Sequence, residues 1–155
     1  MRIAVLYGIA ALIAGIGVWA LLGRGGAEAT AAGPVDLARG RALYEENCSS
    51  CHGSELQGQP DWQSPGPDGR LPAPPHDETG HTWHHPDTVL FDYTKLGGNA
   101  LMAQQGVDFD SGMPGFGDIL TDRQIRDVLA FIRSTWPERI RDIQADRTLA
   151  QDGAG

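Results

Sequence analysis

Apolar side chains recur at helical spacing in three segments of the chain, residues 36–47, 86–96 and 121–136. In the first segment, Arg and Glu occupy most other positions, and one face consists of Leu37, Gly40, Leu43 and Tyr44. A glycine inside a helix costs about 1 kcal/mol relative to alanine. The position of Gly40 therefore indicates that another helix approaches the backbone closely there.

The other two segments carry clear signals at their ends. Pro86 suits the first position of a helix, and the Gly-Gly pair at 97–98 is typical of a helix end. The capping-box pattern at 121–124 predicts that the third helix begins there. Its apolar stripe consists of Ile125, Val128, Leu129 and Ile132, with Phe131 beside it. The Trp-Pro pair at 136–137 ends this helix, and a further helix with a charged surface is expected to reach about residue 146.

Residues 53–86 are rich in Pro, Gly, Asp and His and show no periodicity. We expect a long irregular loop there, with Trp62 and Trp83 as candidate anchors. Four histidines lie in this loop: His76, His81, His84 and His85. They allow two interpretations, a second metal site, copper being one candidate, or local hydrogen bonding. The ligand spacing of a closed metal site is missing, which favours the second interpretation.

The amino-terminal segment is apolar and uncharged over residues 3–23, between Arg2 and Arg24. A helix of this length spans about 31 Å, which is enough to cross a bilayer core. Residues 1–24 are therefore predicted to be a transmembrane anchor, or a signal segment if one of two cleavage-like sites that follow is used. The rest divides into a linker at 25–33, a folded domain at 34–147 and a disordered tail at 148–155.

The charge of the chain restricts the kind of partner. The formal net charge is −8, and residues 25–155 contain 10 basic and 20 acidic side chains. This balance argues against nucleic-acid binding, which needs clustered Lys and Arg. It favours a partner with a basic face, or simply solubility.

The strongest chemical signal is the Cys-Ser-Ser-Cys-His run at residues 48–52. Two cysteines at this spacing with a histidine directly after them form the attachment pattern of c-type haem. Each of Cys48 and Cys51 can add to a haem vinyl group, and the imidazole of His52 then becomes the proximal iron ligand. A Cys-x-x-Cys pair can also be a redox dithiol, half of a zinc site or a disulfide. No other cysteine occurs, so the sequence provides for one covalent haem.

The residues on either side of this motif resemble the class I cytochromes c. The run Gly-Arg-Ala-Leu-Tyr at 40–44 before the motif is similar to the opening of that family, and Val-Leu-Ala-Phe-Ile-Arg at 128–133 is similar to its terminal helix. The resemblance implies an all-α domain with the cytochrome c fold, in which the first and last helices cross around one covalently bound haem. It also implies that Gly40 and Tyr44 pack on the last helix, with Phe131 across Gly40.

An electron-transfer haem needs a ligand on each face of its iron. Beyond the initiator, the candidates for the second ligand are Met102, Met113 and the loop histidines. Met113 lies in the run Gly-Met-Pro-Gly-Phe-Gly at 112–117, which resembles the class I pattern and implies that Met113 is the distal ligand. Met102 is then expected to fill the core near the haem. A thioether ligand raises the reduction potential of the iron.

These features predict an electron-transfer protein rather than an enzyme, in a bacterial respiratory or other periplasmic redox chain. The predicted cofactor is one haem c, bound covalently by Cys48 and Cys51, with His52 and Met113 as ligands of the iron. The predicted partners are a donor and an acceptor protein. The predicted location is the periplasmic face of the membrane, or the periplasm after cleavage, because haem is attached covalently outside the bacterial cytoplasm.

Two other functions stay open at this point. One is a haem-based sensor or enzyme in which Met113 is a labile ligand. The other is a periplasmic copper-binding protein that uses the loop histidines.

Overall fold

The computed structural model describes residues 34–153 of the chain. The predicted anchor at 1–24, the predicted linker at 25–33 and the last two residues of the predicted tail lie outside this part, so the predictions made for them stay predictions. The helices are α1 (Leu37–Asn47), α2 (Ser49–His52), a 3₁₀ turn (Thr82–His84), α3 (Asp87–Leu96), α4 (Gly98–Gln104), α5 (Asp122–Ser134) and α6 (Glu138–Asp152). Residues 34–153 contain no strand, in agreement with the all-α prediction. Within the same range, no helix is long and apolar enough to cross a membrane.

Helix α1 begins where the sequence predicts. Asp36 is its N-cap, and the side chain accepts a hydrogen bond of 3.0 Å from the backbone N of Arg39. Gly40 and Tyr44 are buried, whereas Leu37 is 46% exposed. Leu37 lies on the predicted face, but in the first turn of α1 its side chain borders an open groove at the surface.

The contact between α1 and α5 is the main helix crossing of the fold. A Cβ atom added to Gly40 would collide with the backbone carbonyl oxygen of Asp127 and would lie 3.1 Å from the Cβ of Phe131. The ring centroids of Tyr44 and Phe131 are 5.6 Å apart. The predicted crossing is therefore confirmed, and glycine is required at position 40 because the two backbones come so close.

A buried carboxylate fixes the same crossing. The side chain of Asp127 is inaccessible to solvent and accepts hydrogen bonds from the backbone N of Asp36 at 2.8 Å and from Nε of Arg39 at 2.7 Å. Arg123 approaches the same carboxylate at 3.4 Å. Burial raises the pKa of Asp127, but these hydrogen bonds and positive charges outweigh it, so the pKa lies below its ordinary value.

The apolar core consists of two clusters that adjoin along α1. The first cluster consists of Tyr44, Leu56, Val128, Ile132, Trp136 and Ile140. The second consists of Phe116, Leu120 and Ile125. Leu43 packs against both clusters, and α5 contributes to both. The regular apolar stripe of α5 is explained by this double contact, since each fully buried aliphatic side chain stabilises the fold by about 1.5–3 kcal/mol.

Helices α3 and α4 follow each other with a single glycine between them. Pro86 is the N-cap of α3 rather than its first helical residue, and Gly97 ends α3 with a φ of 82°. A Cβ on Gly97 would collide with the backbone of Gly115. The sequence did not predict α4, because seven residues that begin with glycine give too short a pattern for helical periodicity.

Helix α6 continues to Asp152, beyond the end that the sequence predicts. Gln144 is fully buried and donates a hydrogen bond of 2.7 Å to Oδ1 of Asp87, at the start of α3. The hydroxyl of Thr148 accepts a bond of 3.1 Å from the backbone N of Asp87. The prediction of a disordered tail is therefore wrong for residues 148–152, which these polar contacts hold in the helix.

Candidate functional site

The two cysteines and His52 lie within one turn of chain at the junction of α1 and α2. Cys48 separates the two helices and is partly buried, while Cys51 is exposed. Both thiols are free, so the pair does not form a disulfide in this structure. Burial, followed by the proximity of Cys51, raises the pKa of Cys48 to about 11. Both sulfurs lie on the same short turn as the imidazole that follows them.

The ring of His52 is oriented by a hydrogen bond from the long loop. The residue is 6% exposed, and its Nδ1 lies 2.8 Å from the carbonyl oxygen of Pro74. A carbonyl can only accept a hydrogen bond, so Nδ1 carries the proton and Nε2 keeps its lone pair. Desolvation lowers the pKa of His52, and the bond to Pro74 opposes this only in part. The ring is thus neutral at pH 7, with Nε2 as its available metal-ligating atom.

A second imidazole lies flat against His52. The ring centroids of His52 and His76 are 4.0 Å apart, with 22° between the ring planes. Nδ1 of His76 is 2.8 Å from Oγ1 of Thr82, which is itself buried. Desolvation lowers the pKa of His76, and charge repulsion from His52 and His81 lowers it further. The pKa of His76 therefore lies well below its ordinary value. His76 is therefore a neutral ring that packs on His52.

Met113 lies in a loop that is docked on the ends of α3 and α4. Its carbonyl accepts a bond of 3.3 Å from the backbone N of Gly98, and its backbone N donates to Oγ of Ser111 at 3.1 Å. Downstream, the backbone N of Phe116 donates to the carbonyl of Thr94 at 3.0 Å. These bonds hold the loop in one backbone conformation at this position.

The side chain of Met113 is partly buried and packs against the second apolar cluster. Cys48 packs against the first cluster, and Leu43 contacts both. The structure therefore brings Cys48, Cys51 and His52 together directly, and Met113 packs against the neighbouring cluster, which shares Leu43 with the first. Met102 lies in α4 and is partly buried.

The remaining loop histidines have aromatic neighbours of their own. The ring of His81 stacks on Trp62 with 5.4 Å between centroids, and His84 packs on Trp83 at 3.7 Å. His85 meets the edge of His81 at 5.5 Å. Within residues 34–153, no group of three or more His, Cys, Asp or Glu side chains could hold a metal ion. Trp83 packs against the first apolar cluster, as expected of a loop anchor, whereas the ring contact of Trp62 is with His81 in the same loop.

Comparison with known proteins agrees with this arrangement. The sequence model of the family described as Cytochrome c matches residues 37–136. The chain belongs to the cytochrome c family. Its helical fold and the order of its motifs place it among the class I cytochromes c, and it accordingly carries electrons on covalently bound haem c.

A curated relative is a cytochrome c as well. The gluconate 2-dehydrogenase cytochrome c subunit of Pantoea cypripedii is 32% identical over 109 residues, which cover 65% of this cytochrome and 21% of that protein. The chain therefore spans about a fifth of the length of this relative. No solved structure matches the chain with significance.

The residues at the α1–α2 junction fit the chemistry of a covalent haem. Two unpaired thiols flank one turn, one of them exposed, and a neutral imidazole directly follows with its Nε2 lone pair available. Thiols supply the sulfur for two thioether bonds, and neutral imidazole is a strong iron ligand. These residues therefore include the donors that a covalent haem would need on one of its faces.

The sequence did not predict the contacts that two residues, Pro74 and His76, make with His52. Pro74 and His76 both lie in the loop, 22 and 24 residues after His52, where no periodicity relates one position to another. Every residue has a carbonyl oxygen, so the sequence could not show that the one of Pro74 accepts the hydrogen bond from His52. The proline pair just before His76 was the available signal, because it indicates a stiff segment.

Proposed function

We propose that this cytochrome c carries one electron at a time on a single haem, which Cys48 and Cys51 bind by thioether bonds and whose iron has His52 and Met113 as axial ligands. The haem supplies one-electron chemistry between ferric and ferrous iron. The protein holds both ligands in place, so that little rearrangement accompanies the change in charge. The chain itself then transfers electrons and does not transform a substrate, because both axial positions are filled.

The hydrogen bond from His52 to Pro74 carries this proposal. It fixes the tautomer in which Nε2 can bind iron, at 2.8 Å and in a residue that is 6% exposed. Such a bond to the remote ring nitrogen orients a metal-bound histidine and increases its basicity. A histidine with a purely structural role has no need of a free, unprotonated Nε2 directly after two free thiols.

The assignment of Met113 is supported by the rigidity of its loop. Backbone bonds to Gly98 and Thr94 hold both sides of the methionine, and the side chain points to the apolar cluster that shares Leu43 with Cys48. A thioether held in this way favours ferrous iron and raises the potential.

A pair of matched variants tests the ligand assignment. Met113→Leu should abolish the weak methionine-to-iron charge-transfer band of the ferric holoprotein and allow the reduced protein to bind carbon monoxide. Met102→Leu, also a partly buried methionine, should keep the band and exclude carbon monoxide. Loss of the band in Met102→Leu, or strong carbon monoxide binding by the wild type at neutral pH, would refute the assignment and favour the sensor or enzyme alternative.

We infer that the protein works on the periplasmic face of the cytoplasmic membrane, or in the periplasm if the amino-terminal segment is cleaved. The apolar run at residues 3–23 and the requirement for haem attachment outside the cytoplasm support this location. Mass spectrometry of the native exported protein would report haem number and amino terminus together. A mass with no haem, or with two, would contradict the proposal of a single covalent haem.

The acidic character of the chain supports a redox partner with a basic face. Charge complementarity of this kind accelerates encounter more than it increases affinity. Small cationic and anionic redox reagents can serve as probes. We expect the cationic reagent to react faster, and its rate to fall as salt is added, because screening weakens the attraction. Equal rates and no salt dependence would refute the electrostatic argument.

The curated relative is described as a subunit of a dehydrogenase, which supports a dehydrogenase as the electron donor. Chemical cross-linking in the native host, followed by identification of the linked protein, tests this inference. A cross-link only to terminal oxidase components would contradict it.

A further inference from the structure

Of the four loop histidines, His76 is the one whose ring lies against His52. The 4.0 Å separation and the 22° angle between ring planes describe a stack of two flat surfaces. The stacked ring is itself held by Thr82, which is 6% exposed and lies 2.8 Å away. His76 is therefore not a mobile surface side chain.

The backbone of residue 76 is held from two further directions. Its N donates a bond of 2.7 Å to the carbonyl of Leu56, and its carbonyl accepts a bond of 2.7 Å from Nε1 of Trp136. Leu56 and Trp136 both belong to the first apolar cluster. The position of the His76 ring is thus set by the core of the protein.

The bond to Pro74 restrains His52 in only one direction. It acts at the edge of the ring, within the ring plane, and a carbonyl oxygen accepts over a broad range of directions. The torsion that turns a histidine ring about its Cβ–Cγ bond also has broad minima. With this bond alone, the ring of His52 could still rock about the line from Nδ1 to the Pro74 oxygen. A flat surface against the face of the ring prevents that motion.

We propose that His76 is a positioning residue that fixes the plane of the His52 imidazole on the haem iron. The proposal rests on the proposed function, in which His52 is the proximal ligand. The plane of an axial imidazole governs how the unpaired electron of low-spin ferric iron is distributed among its d orbitals. That distribution is read directly from the spread of electron paramagnetic resonance g values and from the nuclear magnetic resonance shifts of the haem methyl groups.

The experiment compares ferric holoprotein variants with wild type by both spectroscopies. His76→Leu replaces the flat ring with an apolar side chain of similar bulk that has no flat face. His76→Phe restores a flat ring but lacks Nδ1. His84→Leu is the matched control, because His84 lies in the same loop but packs on Trp83 instead.

We expect His76→Leu to change the g spread beyond the wild-type linewidth or to give a second set of haem-methyl signals. His76→Phe and His84→Leu should keep the single wild-type set. The backbone bonds of residue 76 do not require its imidazole, so the loop is expected to stay folded. Thr82→Val provides a second perturbation, which removes the hydrogen bond to the ring and should change the spectra in the same direction as His76→Leu.

Two results would overturn the proposal. One is an unchanged spectrum in both His76→Leu and Thr82→Val. The other is an equal change in the Leu and Phe variants, because the flat face would then have no part in the effect. Failure of the proposed function would be seen in the wild type itself, as a protein without covalent haem or without the methionine-to-iron band, before any variant is compared.

Discussion

Replacing Gly40 by alanine sets two effects against each other at the crossing of α1 and α5. At an exposed helix position, this change stabilises a protein by up to about 1 kcal/mol, because alanine has the highest helix propensity. At Gly40 the added methyl group would collide with the carbonyl oxygen of Asp127 and would closely approach Phe131. A backbone carbonyl cannot rotate away as the end of a flexible side chain can, so the two helices must separate.

The expected result is a net loss of stability. The collision is with a fixed backbone atom, so we place its cost in the upper part of the range for overpacking, at about 2–3 kcal/mol, and the gain in helix propensity offsets about 1 kcal/mol of it. We therefore expect the free energy of unfolding to fall by about 1–2 kcal/mol. With a slope of about 2 kcal/mol per M of urea, the unfolding midpoint should fall by about 0.5–1 M.

The measurement is urea unfolding of the holoprotein, followed by far-ultraviolet circular dichroism. Ala42→Gly is the matched control, because Ala42 is an exposed position on the same helix. It should destabilise the protein by about 1 kcal/mol through helix propensity alone. It therefore measures the propensity gain that opposes the collision in Gly40→Ala. A midpoint for Gly40→Ala at or above the wild-type value would refute the reasoning from close backbone contact.

Three further predictions follow from contacts of the described residues. Asp127→Asn should cost about 1–3 kcal/mol at pH 7. Because the pKa of Asp127 is lowered by folding, the difference from wild type should be complete above about pH 5 and shrink as the pH falls below the ordinary carboxyl value of about 3.9; a difference that does not vary with pH would contradict this account. Gln144→Leu removes the buried donor to the Asp87 carboxylate and should lower stability by about 1–3 kcal/mol in thermal or urea unfolding. Exposed Gln151→Ala should stay within about 0.5 kcal/mol of wild type, and equal effects of the two would argue against the buried bond. Copper titration should show equal, weak uptake by wild type and by a triple alanine variant of His81, His84 and His85, and strong uptake by the wild type alone would revive the copper-binding alternative.

Much of the helical framework could be predicted from the sequence, because its signals are local. Periodicity located α1, α3 and α5, and the capping box at Thr121 is present with both of its hydrogen bonds. The crossing at Gly40 was predicted because glycine destabilises a helix, and close approach of a neighbouring backbone is a common cause of its presence there. Periodicity alone does not show whether Leu37 is buried, since an apolar residue in the first turn of a helix can face an open groove.

The shell around His52 could not be predicted, because its contacts join residues that are distant in sequence. Pro74 contributes a main-chain oxygen, which every residue type possesses. His76 was one of four histidines in a loop without periodicity, and only the proline pair before it distinguishes it from His81 and His84. Gln144 lies in a helix of alternating charges, where a buried amide is indistinguishable from a solvated one.

The bond between Trp136 and the carbonyl of His76 links the segment directly after α5 to the surroundings of His52, the proposed proximal ligand. Only two contacts, one hydrogen bond and one ring stack, separate this tryptophan from the imidazole of His52. A truncation or a bound partner that loosens the packing around the last two helices is therefore expected to shift the imidazole of His52. In this cytochrome, redox tuning and carboxy-terminal integrity are expected to vary together.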